Sequence, residues 1–383
     1  MNFVLSGVET QNKGAELMLY AILQEIERKY PDSDVYLPVD SVRQGLAYIS
    51  TSLNLHYKPI QVFRDWATRN HIKGVFRRLH IPDIIWRDIY YVKGTDYLID
   101  GSGFHYSDVW NHSHLLMQER KLLMKVNKRH GVKIVLMPQA FGPLQSQKIK
   151  DGLAEVDRYA DIIMVRDNVS MTYLEKSALL SSHKVKRFTD YTSLVEPVIP
   201  AGYEHLYDGV CIIPNGRLFD KGNYTFEEYL TFVQGVIKIA KKYHKVPYLL
   251  NHEGVADTEI ANQIIECMEE PIDFVDNLNA LEVKGIISTA YLVVSSRFHG
   301  LASSLNTLVP CLATGWSHKY AELFHDYDIE NTIIDFSDCD NAIDKVAELL
   351  EESANNAFRK HLSTKVPKIK ENVRKMWDEI WAI

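Results

Sequence analysis

Along the chain, short unbroken apolar runs alternate with longer stretches in which apolar residues recur every three or four positions. Asn2–Gly7, Val35–Pro38, Asp96–Asp100 (DYLID), Lys133–Pro138 (KIVLMP) and Ile162–Val165 are runs of the first kind. Short and β-branched, without polar alternation, such runs predict strands buried on both faces. Ala15–Lys29, Ser113–His130 and Leu153–Tyr159 are of the second kind and predict helices with one apolar face. Pro197, Pro200 and Gly202 break the pattern within Glu196–Tyr207, after which it restarts. Strands are then expected at Gly209–Pro214, Val246–Asn251, Tyr291–Val294 and Val309–Ala313. Helices are expected at Phe226–Tyr243, Thr258–Met268, Gly300–Asn306, Tyr320–His325 and Ile343–Leu350. The fold class this predicts is α/β, with two Rossmann-like αβα domains and a cleft between them. The expected domains are 1–200 and 201–360. Residues 361–383 form a closing helix that packs back across a domain on a face bearing Trp377 and Trp381, four apart.

Composition narrows the class. A chain of 383 residues exceeds a typical single core, and 46% hydrophobic with 24% charged residues is ordinary for a globular protein. A net charge of −7 argues against a general nucleic-acid binder. Cys211, Cys267, Cys311 and Cys339 lie far apart with no CxxC pair, so neither a disulfide framework nor a zinc site is indicated. A reducing cytoplasm fits. No signal peptide and no membrane-spanning run is read from the sequence. One segment departs from the average. Within 64–93, seven basic residues from Arg64 to Lys93 alternate with apolar and aromatic ones, including Trp66, Phe76 and Trp86. It reads either as a helical hairpin with a solvated basic face or as a surface for peripheral contact with the inner face of an anionic membrane.

Chemistry concentrates at strand ends. The stretch Ile286–Tyr320 holds two buried strands, and Ser296, Arg297, His299 and Gly300 stand where the first hands over to a helix. A helix N-terminus offers free N–H groups and a positive dipole end. One fixed cation, one titratable imidazole and Lys319 on the next strand-end loop suit a small, highly charged anion. Elsewhere Arg166 and Asp167 end a strand, as a helix-capping ion pair or as a further anion contact. Gly101 and Gly103 let a ligand approach the end of the DYLID strand. His105 beside them is better placed to line a cleft than to join His112 and His114 as a metal ligand, and no metal is expected. The opening loop carries neither a GxGxxG nor a P-loop pattern.

Taken together, Ser296-Arg297-Phe298-His299-Gly300, Pro310 and Lys319 resemble the C-terminal signature of the polysaccharide pyruvyl transferases. Asn12–Glu16, Asp100–Gly103, Gln139–Leu144 (QAFGPL), Val165-Arg166-Asp167 with Ser170, Thr189-Asp190 and Pro214-Asn215 follow that family's order. The chain departs from it in reading Asn-Lys-Gly-Ala-Glu where many members have Asn-x-Gly-Asp, and Gly-Ser-Gly in place of a glycine pair. The resemblance implies a glycosyltransferase-B-like arrangement and transfer of pyruvate from phosphoenolpyruvate to sugar hydroxyls as a ketal. It implies no cofactor beyond phosphoenolpyruvate as co-substrate. Arg166, Arg297, Lys319, Ser296, Gly300 and His299 are then expected to bind the donor. Asn12, Glu16, Gly101, Gly103, His105 and Asn215 are expected on the side of a sugar or lipid-linked oligosaccharide acceptor. His299 is the expected general acid, with Asp190 or Glu16 accepting a hydroxyl proton. The rival readings are a nucleotide-sugar glycosyltransferase using a carboxylate near Asp273–Asp276, and a non-catalytic glycan-binding relative.

Overall fold

A computed structural model of the chain describes residues 1–38, 54–58, 91–110, 112–216, 218–219, 224–314 and 318–383. The basic segment 64–93 lies outside them apart from its last three residues, as does Gly315. The chain forms two compact units. The first comprises Met1–Gln11, Met18–Thr189 and Lys375–Ile383, and the second Asn12–Leu17 and Asp190–Arg374.

The first unit is built on seven parallel strands: β1 (Asn2–Ser6), β2 (Asp34–Pro38), β3 (Asn54–Lys58), β4 (Tyr97–Asp100), β5 (Lys133–Gln139), β6 (Ile162–Val165) and β7 (Val185–Arg187). Their order is β3-β2-β1-β4-β5-β6-β7. The order reverses direction between β1 and β4, the switch point where doubly wound sheets bind ligands. The five apolar runs read from the sequence are β1, β2, β4, β5 and β6, and Tyr97–Asp100 and Ile162–Val165 are buried throughout. The unit's helices include α1 (Lys13–Lys29), whose first residues belong to the second unit, α2 (His114–Arg129), α3 (Gln147–Tyr159) and α4 (Asn168–Ser177). Ser113, Ser146 and Asp167 cap α2, α3 and α4, each side chain accepting a backbone N–H from the first turn. Asp167 thus takes the capping role that the sequence left open.

The second unit carries β8 (Val210–Ile213), β9 (Pro247–Leu250), β10 (Asp273–Val275), β11 (Leu292–Ser295) and β12 (Cys311–Ala313), all parallel, in the order β10-β9-β8-β11-β12. Its switch point lies between β8 and β11. Around the sheet pack α5 (Phe226–Lys242), α6 (Gly254–Glu266), α7 (Ala280–Ser288), α8 (Phe298–Asn306), α9 (His318–Tyr327) and α10 (Cys339–Leu350). Lys319, expected on a loop, sits in the first turn of α9 instead. Buried Tyr320 is the first apolar position of that helix and requires the turn before it. The last helix, α11 (Glu352–Trp381), runs on through Pro367. Its Trp377 is buried and stacks on Trp381 at 5.4 Å. In the first unit Trp381 meets Phe3, Tyr30 and Tyr97 edge-on, and its indole N–H donates to Glu25 at 3.1 Å. Among the described residues no helix is long and apolar enough to cross a membrane.

Candidate functional site

Nine of the residues singled out from the sequence belong to the second unit: Asn12, Glu16, Asp190, Asn215, Ser296, Arg297, His299, Gly300 and Lys319. The frame is the β8/β11 switch point. Asn215, just past β8, donates its amide to the Ser296 carbonyl at 2.8 Å. The Tyr320 hydroxyl donates to the same oxygen at 2.5 Å, and the Arg297 N–H donates to Ser295 Oγ at 2.9 Å. Three hydrogen bonds therefore fix the strand-to-helix corner before α8 begins. Gly300 lets that helix lie on the sheet, since a Cβ there would stand 2.9 Å from Ile213 Cδ1.

His299 occupies the first turn of α8. Its Nε2 lies 3.6 Å from Asp190 Oδ2. On the other side the backbone of Gly14 closes on the ring so tightly that a Cβ would sit 2.2 Å from Nδ1. Asn12 shapes that approach: its Oδ1 accepts from Gly14 N at 2.8 Å and Ala15 N at 3.1 Å. Asp190 is itself held, accepting the Thr192 N–H at 2.9 Å as the cap of a 3-10 turn. The imidazole is thus set between a fixed carboxylate and a fixed glycine.

Arg297 is not a free cation. Its guanidinium is clamped between two carboxylates: Nε and Nη2 donate to Asp257, the former at 2.9 Å, and Nη1 pairs with Glu253. The Asp257 side chain is fully buried, whereas that of Glu253 is 29% exposed. Glu253 also accepts from the Asn12 amide at 2.6 Å. Neither carboxylate was singled out from the sequence, where Asp257 stands 40 residues before Arg297 and no spacing links the two. His252 beside them was missed too. Burial, then the charges of Arg297 and His299, hold its imidazole well below the usual range, so it is neutral. Burial raises the Glu16 carboxyl above its ordinary value against the pull of Lys13, 2.8 Å away. Lys319 Nζ lies 5.1 Å from the centroid of the Tyr320 ring. Asp276, in the region of the carboxylate that a nucleotide-sugar enzyme would use, accepts from Asn251 and from the Asn277 N–H at 2.7 Å each.

Arg166, Gly101, Gly103 and His105 belong to the first unit. Arg166 is buried at the end of β6, its N–H donating to the Gln139 carbonyl at 3.1 Å. At the β1/β4 switch point Asp100 pairs with Arg120, a residue without a sequence signal because it lies mid-helix in α2. Arg120 also donates to Ser102 Oγ at 2.5 Å. His105 stacks on His112 at 4.3 Å. Among the described residues no cluster of three or more His, Cys, Asp or Glu side chains is placed to hold a metal ion.

Two parallel α/β sheets with a charged corner at a strand-to-helix switch define a class, and solved structures show the same fold. A putative UDP-N-acetylglucosamine 2-epimerase from Listeria monocytogenes is similar over 99% of this chain and 95% of its own, with 11% identity and a TM-score of 0.63. The UDP-GlcNAc 2-epimerase of Neisseria meningitidis, bound to UDP-GlcNAc, is similar over the full length of both chains, at 10% identity and a TM-score of 0.60. The spinosyn rhamnosyltransferase SpnG covers 99% of this chain and is itself covered in full, at 12% identity and a TM-score of 0.52. These place the fold with the glycosyltransferase-B-like enzymes. No curated protein matches the chain in sequence. The polysaccharide pyruvyl transferase family model matches residues 12–318, so the chain belongs to the polysaccharide pyruvyl transferase family.

Proposed function

We propose that the protein transfers the three-carbon unit of phosphoenolpyruvate to two hydroxyls of a sugar in a surface polysaccharide or its precursor, closing a cyclic ketal and releasing phosphate. The observation that carries this reading is the setting of His299 in a chain of this family: a first-turn imidazole with a carboxylate 3.6 Å from one nitrogen. A carboxylate in that position steadies the protonated imidazole, which then delivers its proton to the methylene carbon of the donor. The positive centre so formed takes a sugar hydroxyl. Phosphate leaves with its C–O bond electrons, and a second hydroxyl closes the ring. Two hydroxyl protons are released; one replaces the proton given to carbon and the other leaves with phosphate. Asp190 is the acceptor of the first in this scheme. Glu16, whose basicity burial raises, is the second carboxylate of the unit suited to that work.

The donor brings a carboxylate and a phosphate. In this reading they meet the positive N-terminal end of α8, Lys319 and Arg297. Because Arg297 is already doubly paired, the incoming anion displaces the outer, partly exposed Glu253 while Asp257 keeps the guanidinium in place. The chemistry balances without a metal or other cofactor. It is assigned to the cytoplasm, where phosphoenolpyruvate is made. Incubation with phosphoenolpyruvate and a panel of oligosaccharide acceptors is expected to release phosphate and add pyruvate, less one water, to the product mass. Consumption of a uridine or guanosine diphosphate sugar, with no phosphate from phosphoenolpyruvate, would overturn the proposal.

A further inference from the structure

The loop after β4 carries features that nothing in the donor chemistry requires. It is pinned along its length. Ala140 N donates to the Gly103 carbonyl and Gly142 N to the Tyr106 carbonyl, both at 3.0 Å. Ser107 Oγ donates to the Gly142 carbonyl at 2.7 Å, and Asp108 accepts from Gln145 N at 2.5 Å and Ser146 N at 3.2 Å. Lys148 holds the His112 carbonyl. A 3-10 turn, Asp108–Trp110, is thus mounted firmly at the carboxyl ends of β4 and β5. Yet it leaves Trp110 46% exposed, supported edge-on by Phe104 at 5.9 Å. A rigidly held, half-exposed indole at a strand end is costly surface unless something covers it.

Two polar groups on the same strand ends are short of partners. His105 is 6% exposed and Gln139 fully buried, and neither His105 Nε2 nor Gln139 Nε2 has a hydrogen-bond partner among the described residues. The two residues adjoin, since the Gln139 side-chain oxygen accepts the His105 N–H at 3.4 Å. Burial, helped by Arg120 and His112, keeps the imidazole neutral, so one ring nitrogen is an acceptor and the other a donor. Leaving such groups unmade costs about 1–3 kcal/mol each. A neutral imidazole, a primary amide and a flat apolar ring are what a pyranose needs: hydroxyls that donate and accept, and a C–H face that packs on an aromatic.

We propose that the Gly103–Trp110 loop with Gln139 is a saccharide-binding subsite, in which one pyranose ring stacks on Trp110 and its hydroxyls bond to His105 and Gln139. This rests on the acceptor being a sugar and names where one of its rings is held. The test is binding without donor: wild-type protein and the Trp110→Ala, Trp110→Phe and His105→Ala variants on an array of hexose- and N-acetylhexosamine-containing oligosaccharides, with phosphate release from phosphoenolpyruvate measured separately. Wild type is expected to retain a saccharide, Trp110→Ala to bind it about tenfold more weakly, and Trp110→Phe within about threefold, a tenfold loss being about 1.4 kcal/mol. Since Trp110 is half-exposed, Trp110→Ala is expected to melt with wild type, which separates lost binding from lost fold. Equal binding by wild type and Trp110→Ala, no retained saccharide at all, or a Trp110→Ala effect confined to oligomeric state would each overturn the subsite. Binding lost in Trp110→Ala by a wild type that releases no phosphate supports the subsite and defeats the transfer reaction. Phosphate release with binding indifferent to Trp110 does the reverse.

Discussion

At the switch point between β1 and β4 the first unit sets a part-buried arginine, Arg120, against one carboxylate, Asp100; between β8 and β11 the second sets Arg297 against two, Asp257 and Glu253. In the first unit the charges cancel. Arg120 donates a second hydrogen bond, from Nη2 to Ser102, and Ser102 N donates to Asp100 at 3.0 Å, so the pair locks a turn. Gly7 is obligatory beside it, with φ +69° and a Cβ that would stand 2.0 Å from Ser102 Oγ. In the second unit one guanidinium serves two acids, one sealed in and one partly open to solvent. A cancelled pair holds shape; an over-supplied cation can exchange one partner for a ligand. The topology is shared, and the difference lies in how many carboxylates each arginine meets.

The comparison breaks most sharply at Asp100. Asp100→Ala leaves Arg120, whose side chain is 15% exposed, without the carboxylate it pairs with, and is expected to cost about 3 kcal/mol of stability. Denaturant unfolding checks this, and a loss under about 1 kcal/mol would show that Arg120 is satisfied without its acid. Next comes the chemistry. His299→Ala is expected to lower turnover at least about a hundredfold, because the imidazole is the proposed proton donor. Near-normal phosphate release in that variant would remove His299 from the mechanism.

These contrasts were unevenly legible in the sequence. The strands were readable because parallel strands buried on both faces become runs such as Lys133–Gln139, buried from Ile134 onward. Arg297 and His299 were readable because strand, corner and helix start follow one another in sequence. Asp190 was singled out only through the family resemblance and Asp257 not at all, because Asp190 reaches His299, and Asp257 reaches Arg297, only through folding, across separations that spacing rules do not span. Lys284 shows another limit. In α7 it lies among Val283, Gly285, Ile286 and Ile287, all buried, and a lone lysine in such a helix reads as its solvent face. It is instead buried, its Nζ donating to the carbonyls of Thr192 at 3.1 Å and Val195 at 2.7 Å, in and just after the turn that Asp190 caps.

Lys284 extends the comparison to an amine with no carboxylate hydrogen-bonded to it among the described residues. Burial first, then repulsion from Lys370, push its amine down to about 7. The unfolded chain keeps the ordinary value of about 10.4, so between the two the unfolded state holds a proton that the folded state lacks. Stability from this group therefore rises with pH from about 7, by about 1.4 kcal/mol per unit, and is flat below. The buried thiols of Cys211 and Cys311 are pushed up and act in the opposite sense above about pH 8.5. The window is thus pH 7 to 8.5, read as the difference in unfolding free energy between wild type and Lys284→Met. Parallel curves for the two proteins across that window would show that the amine stays charged.

The smallest effect expected on stability is also the most telling for the exchange idea. Glu253→Gln removes the outer negative charge from Arg297 but leaves Asp257 on Nε and Nη2 and keeps an oxygen to accept from Asn12. With the guanidinium still paired and the site partly solvated, the cost is expected to stay below about 1 kcal/mol. The donor then no longer competes with a carboxylate for Nη1. The KM for phosphoenolpyruvate is expected to fall about threefold, roughly 0.7 kcal/mol, with turnover little changed. A rise in KM instead would mean that Glu253 orients Arg297 for the donor rather than standing in its place, and the two switch points would then both be structural locks.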